Sequence, residues 1–437
     1  MKSRPKALRF AAAAAAAVLL ASCSSGTSDP STGAGTDGPY APPAADVTAE
    51  ITISNWGDPN DKAIYDSVVA RFEEKYPNVT VNNDFTPITT WTEYVSKLVA
   101  AVASGNAPDV INIATEGVEL GLYNDLFAPM DSYIANDPEA QPLLDAMNPT
   151  LVDGFTKDGS TYLVPNTWNS MLIYYNTQMF ADAGIERPAD DWTWDDFLAI
   201  ANQLTTGDGA SKVYGFGLPY FNFGIMPWLY TSSTSTMSED LKTPTMTDPA
   251  TVEAVEWVRD LVTEEGVAPQ PKGADPYQLF PAGKVAMTGA GHWLVSSFAD
   301  AGFSDYDVLP WPQNTESSTV WGGGGFAISQ DSENKDLAWE LIKALADEET
   351  QMQWAAAGAA VPSMESAAIS PDFTEFPEHA SLYFTSIENA RPVPAPTVFS
   401  TLEPSFMRAM DSIMAGGDAA TELAKANDEV QQALEDE

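Results

Sequence analysis

Cys23 is the only cysteine in the chain, and it closes the run Leu20-Ala21-Ser22-Cys23. An aliphatic residue, two small residues and then a thiol form a lipobox pattern. Small side chains let the chain thread a peptidase site, and the thiol takes the lipid. An ordinary secretory signal followed by an incidental cysteine is the other reading of the same stretch. Elsewhere the reactive side chains are few. His292 and His379 are the only histidines, so with Cys23 lipidated no Cys/His metal cluster is expected. Gly322 to Gly325 lacks the Lys-Ser/Thr pair of a phosphate-cradling loop, and no G-x-S-x-G elbow occurs. The chain offers instead 12 Trp, 15 Tyr and 19 Phe. Trp56 with Asp58 follows a run that reads as a strand, as do Thr115 with Glu116 and, later, Trp293, while Trp168 and Asn169 stand side by side in a long extended run. Flat apolar faces next to hydrogen-bonding groups suit a site that holds a small molecule.

The elements that must position these residues alternate in period. Glu50-Ile51-Thr52-Ile53-Ser54 alternates as a strand, and Asp58-Pro59 offers a helix start with proline in the first turn. Ile64, Tyr65, Val68, Val69 and Phe72 share a helical face until Pro77. Val79-Thr80-Val81 is a second strand, Trp91 to Val102 a second amphipathic helix, and Asp109 to Ile113 a third strand. Strand, helix, strand, helix, strand indicates a parallel α/β layer. Further on, 162–176 reads as extended, and 194–204 and 251–264 as helices. Val285 to Thr288 reads as a strand, Gly322 to Gly325 precede a strand at Phe326 to Ile328, and 337–345 is helical. The chain is mostly helical from Ser405, with a break at Gly416-Gly417.

The ends and the charge narrow the class. Lys2, Arg4, Lys6 and Arg9 precede a short apolar run from Phe10 to Leu20, as in a secretory signal. Residues 1–22 are expected to be removed and 23–46, rich in Ser, Thr, Gly, Pro and Ala, to be a flexible tether. A lone cysteine leaves no internal disulfide, so the core must carry stability alone. The formal charge is −42, and the signal segment contains four basic and no acidic residues. The mature surface repels nucleic acid and anionic headgroups. No later apolar run is long enough to span a bilayer.

Several segments, in order and spacing, resemble the extracellular solute-binding proteins of ABC importers, in their carbohydrate-binding form. These are Asn55-Trp56-Gly57, Phe72 to Val79, Ala103 to Val110 and Ile173-Tyr174-Tyr175-Asn176 before Ala183-Gly184-Ile185. Trp192 to Phe197, Phe280 to Met287 and Gly324 to Ile328 follow. The resemblance runs from about residue 50 to the C-terminus. It implies an α/β fold of the two-lobed periplasmic-binding-protein type (type II), each lobe a mainly parallel sheet flanked by helices, with ligand held between the lobes. It places lobe 1 at 47–166 plus 324–366 and lobe 2 at 167–323 plus 367–437. It implies a carbohydrate ligand, ABC permease subunits as partners, no cofactor, no nucleic-acid partner and a monomer, held by lipid at Cys23 (a palmitate-type anchor) on the extracytoplasmic face of the cell membrane.

Within that resemblance the candidate ligand-binding residues are Trp56, Asp58, Glu116, Trp168, Asn169, Tyr220, Trp228, Trp293, Gly323, Gly324 and Arg391. A sugar presents hydroxyls around its rim and apolar C–H faces, which calls for aromatic platforms with a few acid, amide and arginine partners. Asp58 and Glu116 match acidic sugar-contacting positions of the family. Asp58 is also a natural helix N-cap, and Glu116 could simply face solvent. Tyr220-Phe221 matches an aromatic pair of the second lobe and Trp293 a stacking tryptophan, while Phe221 and Trp228 fit a core equally well. Ile113 replaces an aromatic of the family, implying one stacking surface fewer on lobe 1. Gly323 and Gly324 would let ligand approach the backbone or serve a hinge. Arg391, in a Pro-rich loop, could fork to a sugar oxygen or pair with a surface acid. The competing readings are a secreted glycoside hydrolase, for which two cleft carboxylates would suffice, a binder of a non-sugar solute such as a polyol, and a surface adhesin or sensor.

Overall fold

The structure, a computed structural model, describes residues 39–87 and 91–437. The signal segment, Cys23 and most of the expected tether lie outside them. Among the described residues no helix is long and apolar enough to cross a membrane.

The first half of the fold follows the sequence rhythm. Strand Ala49–Gly57 alternates buried and partly exposed positions. Helix Pro59–Lys75 starts in a capping box. Asp58 accepts from the Asn60 and Asp61 amides, Asp61 accepts from the Asp58 amide, and Pro59 fills the first turn. Ile64, Tyr65, Val68 and Phe72 are buried on one face. Strands Val79–Pro87 and Val110–Ala114 then pair parallel with the first strand on its two sides.

Thr319–Ser329 comes back from far along the chain to pair antiparallel with Val110–Ala114. Its other edge pairs antiparallel with Val164–Ser170. The glycines expected to precede this strand are inside it. The first sheet therefore runs, in order, Val361–Pro362, Val164–Ser170, Thr319–Ser329, Val110–Ala114, Ala49–Gly57, Val79–Pro87. A second sheet runs Tyr306–Leu309, Leu172–Asn176, Val285–Ala290, Tyr214–Gly217. Only Tyr214–Gly217 with Val285–Ala290 is parallel there. Both sheets thus mix directions where mainly parallel ladders were expected. Strands reached by a passage from the other sheet are free of the handed crossover that enforces parallel pairing.

The chain leaves the first sheet for the second at Met171, between Ser170 and Leu172, and comes back between Leu309 and Thr319. The ladder pairing Trp321 with Ser170 extends past residues 167 and 323, so the boundaries expected there fall inside a ladder. The C-terminal helices Phe399–Met414 and Ala419–Glu435 bury Leu402, Phe406, Met410 and Leu423 in the core beneath the second sheet. Helix Lys335–Ala346 and the first helix enclose the other core, around Ile53, Phe72 and Trp339.

Candidate functional site

A cavity of about 610 Å³ opens where the carboxyl ends of the first sheet's strands face the second sheet's loops, the place where open α/β sheets bind ligands. Its floor is the glycine strand. A Cβ built on Gly324 would sit 3.0 Å from Trp56 Cζ2, and one on Gly323 would sit 2.9 Å from the Thr167 carbonyl oxygen. Beneath lies a buried polar lattice. Asn112 and Asn166 both donate to the Tyr65 hydroxyl, at 2.9 and 3.1 Å, and Asn112 also donates to Asn55. These donor contacts cross-link the strands that carry Trp56 and Ala114, although the side-chain oxygens of Asn112 and Asn166 are buried without a partner.

Of the residues expected from sequence, Trp56, Asp58, Glu116, Trp168, Asn169, Trp293, Gly323 and Gly324 all line this one cavity. Trp56 is half-buried and meets Trp91 edge to face, with ring centroids 4.4 Å apart. Trp293 begins its helix with its ring lying over Gly291 and 6.3 Å from the Phe223 ring. Trp168 is only 1% exposed and its indole N–H donates to the Pro362 carbonyl at 3.3 Å, so it belongs to the floor more than to an open platform. Asn169 accepts from the His292 amide at 2.8 Å. Asp58 stands at the rim as both cavity residue and N-cap.

Three expected residues lie elsewhere. Trp228 is fully buried among Phe197, Phe216 and Trp311, because its helix, Asn222–Tyr230, is apolar all round and sinks into the second core. Tyr220 turns to the C-terminal helix and donates to Asp411 at 3.1 Å. Its neighbour Phe221 lines the cavity instead, 36% exposed. Arg391 stacks on the Tyr230 ring at 4.5 Å and lies 3.8 Å from Glu316. It lines a separate cavity of about 390 Å³ with Lys157 and Trp321. Ile113, at the position of the family's aromatic, is wholly buried.

Sequence reasoning missed Asp61, Trp91, Asn222, Phe223, Tyr277, Phe399 and Glu403, all cavity residues. Asp61 sits in the first turn of its helix, where acids are common without any ligand role. Glu403 arrives from a helix near the C-terminus, and no local pattern reports that approach. Asn222 is 2% exposed, and its side-chain oxygen is buried with no hydrogen-bond partner.

Three acids of the cavity are shifted upward. Burial pushes the Glu116 carboxyl up to about 7, against a hydrogen bond from Thr115, with Glu403 adding repulsion. Burial raises Asp61 to about 6 and Glu403 in the same direction. His292, stacked on Phe373 behind Trp293, is pushed down to about 3 by burial and is neutral. Away from the cavity, Asp307, Glu378 and His379 bring three potential ligand atoms within 4.8 Å of one another. There the His379 ring faces Asp307 at 2.6 Å, and Tyr175 donates to the same carboxylate. This mixed group was not anticipated from the two histidines alone.

The family model described as bacterial extracellular solute-binding protein matches residues 67–381. The chain belongs to this family. An ABC substrate-binding protein from Listeria monocytogenes, solved in complex with cycloalternan, superposes with a TM-score of 0.79 at 26% identity, covering 89% of this chain and 99% of that one. A binding-protein relative from Brucella abortus (strain 2308) is 25% identical over 293 residues, 64% of this chain and 67% of that one. An arabinooligosaccharide-binding protein of Halalkalibacterium halodurans is 22% identical over 259 residues, 56% of each chain. The fold is thus the two-lobed α/β fold of solute-binding proteins, and the chain's family places it outside the cytoplasm.

Proposed function

We propose that this protein is the substrate-binding subunit of an ABC importer that captures a sugar or oligosaccharide between two lobes and delivers it to membrane permease subunits. The observation that carries this reading is the cavity between the sheets, where Trp56, Trp91, Phe221, Phe223 and Trp293 surround carboxyls and an unpaired amide. Rings stack on the C–H faces of a pyranose while acids and amides take its hydroxyls. The oligosaccharide binding named for the Halalkalibacterium relative and the cycloalternan complex of the Listeria neighbour support the same class.

Lobe 1 is proposed as 47–166 with 324–366 and lobe 2 as 167–323 with 367–437, the ladder through Ser170 and Trp321 acting as the shared joint. Trp56, Asp58 and Glu116 then contact ligand from one side, and Phe221 and Trp293 from the other, so ligand stabilises the closed state by touching both. A lipid anchor on Cys23 is proposed on the strength of the Leu20-Ala21-Ser22-Cys23 sequence. Metabolic labelling with a fatty acid, lost in Cys23→Ser, tests the anchor.

The decisive experiment is a thermal-shift screen of residues 24–437 against mono-, di- and oligosaccharides and polyols, with a parallel assay for released sugar. A ligand at a hundred times its Kd stabilises by about 2.7 kcal/mol. Saccharide stabilisation without turnover is the expected result. Turnover would make the protein a hydrolase, and stabilisation only by a non-sugar solute would end the carbohydrate reading.

A further inference from the structure

One buried carboxylate outside the cavity has no lysine or arginine partner among the described residues. Asp307 lies on Tyr306–Leu309, an edge strand of the second sheet, and its side chain is 5% exposed. Its ion-pair partner is His379, which is charged only when protonated. Arg187, near enough to act on the adjoining Tyr175, is paired with Asp190 at 2.8 Å. Carboxylates taken out of water are paired with a cation or coordinate a metal. Two donors fix this one, the Tyr175 hydroxyl on Oδ2 at 3.1 Å and the His379 amide on Oδ1 at 3.0 Å. The Nδ1 atom of the His379 ring stands 2.6 Å from Oδ2. Glu378, which is exposed, completes a trio in which one ligand atom from each residue lies within 4.8 Å of the other two. Helices Thr177–Ala183 and Ser381–Thr385 begin close by and offset part of the acids' charge. Donor type and placement, not a charge sum, therefore point to an ion.

We propose that Asp307, Glu378 and His379 bind a divalent metal ion of the zinc class. One imidazole and two carboxylate oxygens make a three-ligand set of the kind zinc takes, with water in the fourth position. Solvent reaches that position from the side of Glu378. The nitrogen donor selects against calcium and magnesium, which take oxygen. The Tyr175 hydroxyl and the His379 amide are the outer donors that orient a metal-bound carboxylate. A tetrahedral ion with ligands at about 2.0 Å holds them about 3.3 Å apart, farther than Nδ1 now stands from Oδ2. The ion therefore displaces to solvent the proton shared by that pair, and the His379 ring, 35% exposed, turns outward to admit it. Glu378 and His379 belong to the stretch between Val361–Pro362 in the first sheet and Ala390–Pro392 beside Thr319–Ser329. A bound ion ties that stretch to the edge of the second sheet and stabilises the fold. The site shares no residue with the sugar cavity and does not depend on the sugar-binding reading.

The test is titration of the mature chain, residues 23–437, stripped of metal with chelator, with the chlorides of zinc, cobalt(II) and calcium. Equilibrium dialysis should count one tightly held zinc per chain, and saturating zinc should raise the melting temperature by at least about 3 °C. Cobalt(II) should give the intense visible absorption of a four-coordinate ion, and calcium should give no shift. His379→Gln, at a partly exposed position, and Glu378→Gln, at an exposed one, are each expected to weaken zinc binding at least about tenfold. His379→Gln should also abolish the cobalt spectrum. The metal-free melting temperature of Glu378→Gln should be unchanged, which separates lost zinc from lost fold. No tightly held zinc overturns the inference. Equal zinc binding in both variants, the mark of scattered surface carboxylates, or a calcium shift as large as that of zinc overturns it as well.

Discussion

Lys343 holds three carboxylates at once. Its ammonium lies 2.8 Å from Asp137, 2.8 Å from Glu139 and 2.9 Å from Glu340, and the Asp137 and Glu340 side chains are 2% and 1% exposed. Lys343→Met keeps the aliphatic stem and removes the charge. Glu340 keeps Lys75 at 2.8 Å, and Asp137 keeps the Trp339 indole N–H at 2.7 Å and the Glu139 amide. Breaking a buried pair by deleting one partner costs 3–5 kcal/mol. With those remaining donors the loss should fall at the lower end, about 3 kcal/mol at neutral pH. The sign with pH follows from the carboxyls. Burial alone would raise Glu340 and Asp137, but Lys75 and Lys343 on Glu340, and Lys343 with the amide and indole on Asp137, outweigh it and hold both below their ordinary values. A depressed carboxyl contributes stability above its unfolded pKa and loses it as pH falls through the folded value. Lys343 is itself raised, so its contribution is intact at every pH below the ordinary lysine range. The penalty of Lys343→Met should therefore be full at pH 7.5 and shrink to under about 1 kcal/mol near pH 3, where the mutant's carboxyls are protonated. Urea unfolding followed by circular dichroism at both pH values measures this. An equal penalty at both, or under about 1 kcal/mol at pH 7.5, would refute the electrostatic account.

Other consequences are open to direct measurement. Trp293→Ala should weaken saccharide binding by at least about tenfold, a loss of ~1.4 kcal/mol, and also lower the melting temperature, because the half-buried ring packs against two core clusters. Gly324→Val puts its Cβ 3.0 Å from Trp56 Cζ2 and 3.2 Å from Asn112 Oδ1. It should tilt Trp56 and lower affinity, seen as a shift in tryptophan emission, and an unchanged Kd would count against the close approach. Arg391→Ala should leave saccharide affinity within about twofold, less than ~0.5 kcal/mol, since Arg391 lines the other cavity. Asp58→Ala removes the first helix's cap at a cost of about 1 kcal/mol in unfolding free energy, alongside any loss of ligand contact.

The parallel strands of the first sheet were legible because their signals are local: alternation in Ile51 and Ile53, a helix start at Asp58-Pro59, and a helix stop at Pro77. The same locality hid the rest of the cavity. Trp228 and Trp293 are both tryptophans following apolar segments, yet one sits in the core and the other at the ligand cavity. Only the all-round apolarity of helix Asn222–Tyr230 separates them. Glu403 reaches Glu116 across nearly three hundred residues of sequence, through packing of the last helices on the second core. Arg391 looked like a lone loop cation, but Tyr230 and Glu316 already hold it. The glycine run read either as a close approach for ligand or as a hinge; it lies inside a central strand, with the space on both its faces already taken.

That last feature bears on how such a protein can diversify. Hypothetical Cβ atoms at Gly322, Gly323, Gly324 and Gly325 would meet Phe223 Cε2 at 2.9 Å, the Thr167 carbonyl at 2.9 Å, Trp56 Cζ2 at 3.0 Å and Leu163 Cβ at 3.0 Å. Successive positions of a strand face opposite sides, so neither the cavity side nor the core side tolerates even a methyl group without displacement. The floor is therefore a fixed datum during drift or laboratory selection. Descendants that take a new sugar must change the wall instead. Trp91, Phe221 and Tyr277 stand there on loops and helix ends whose backbone is under no such steric constraint.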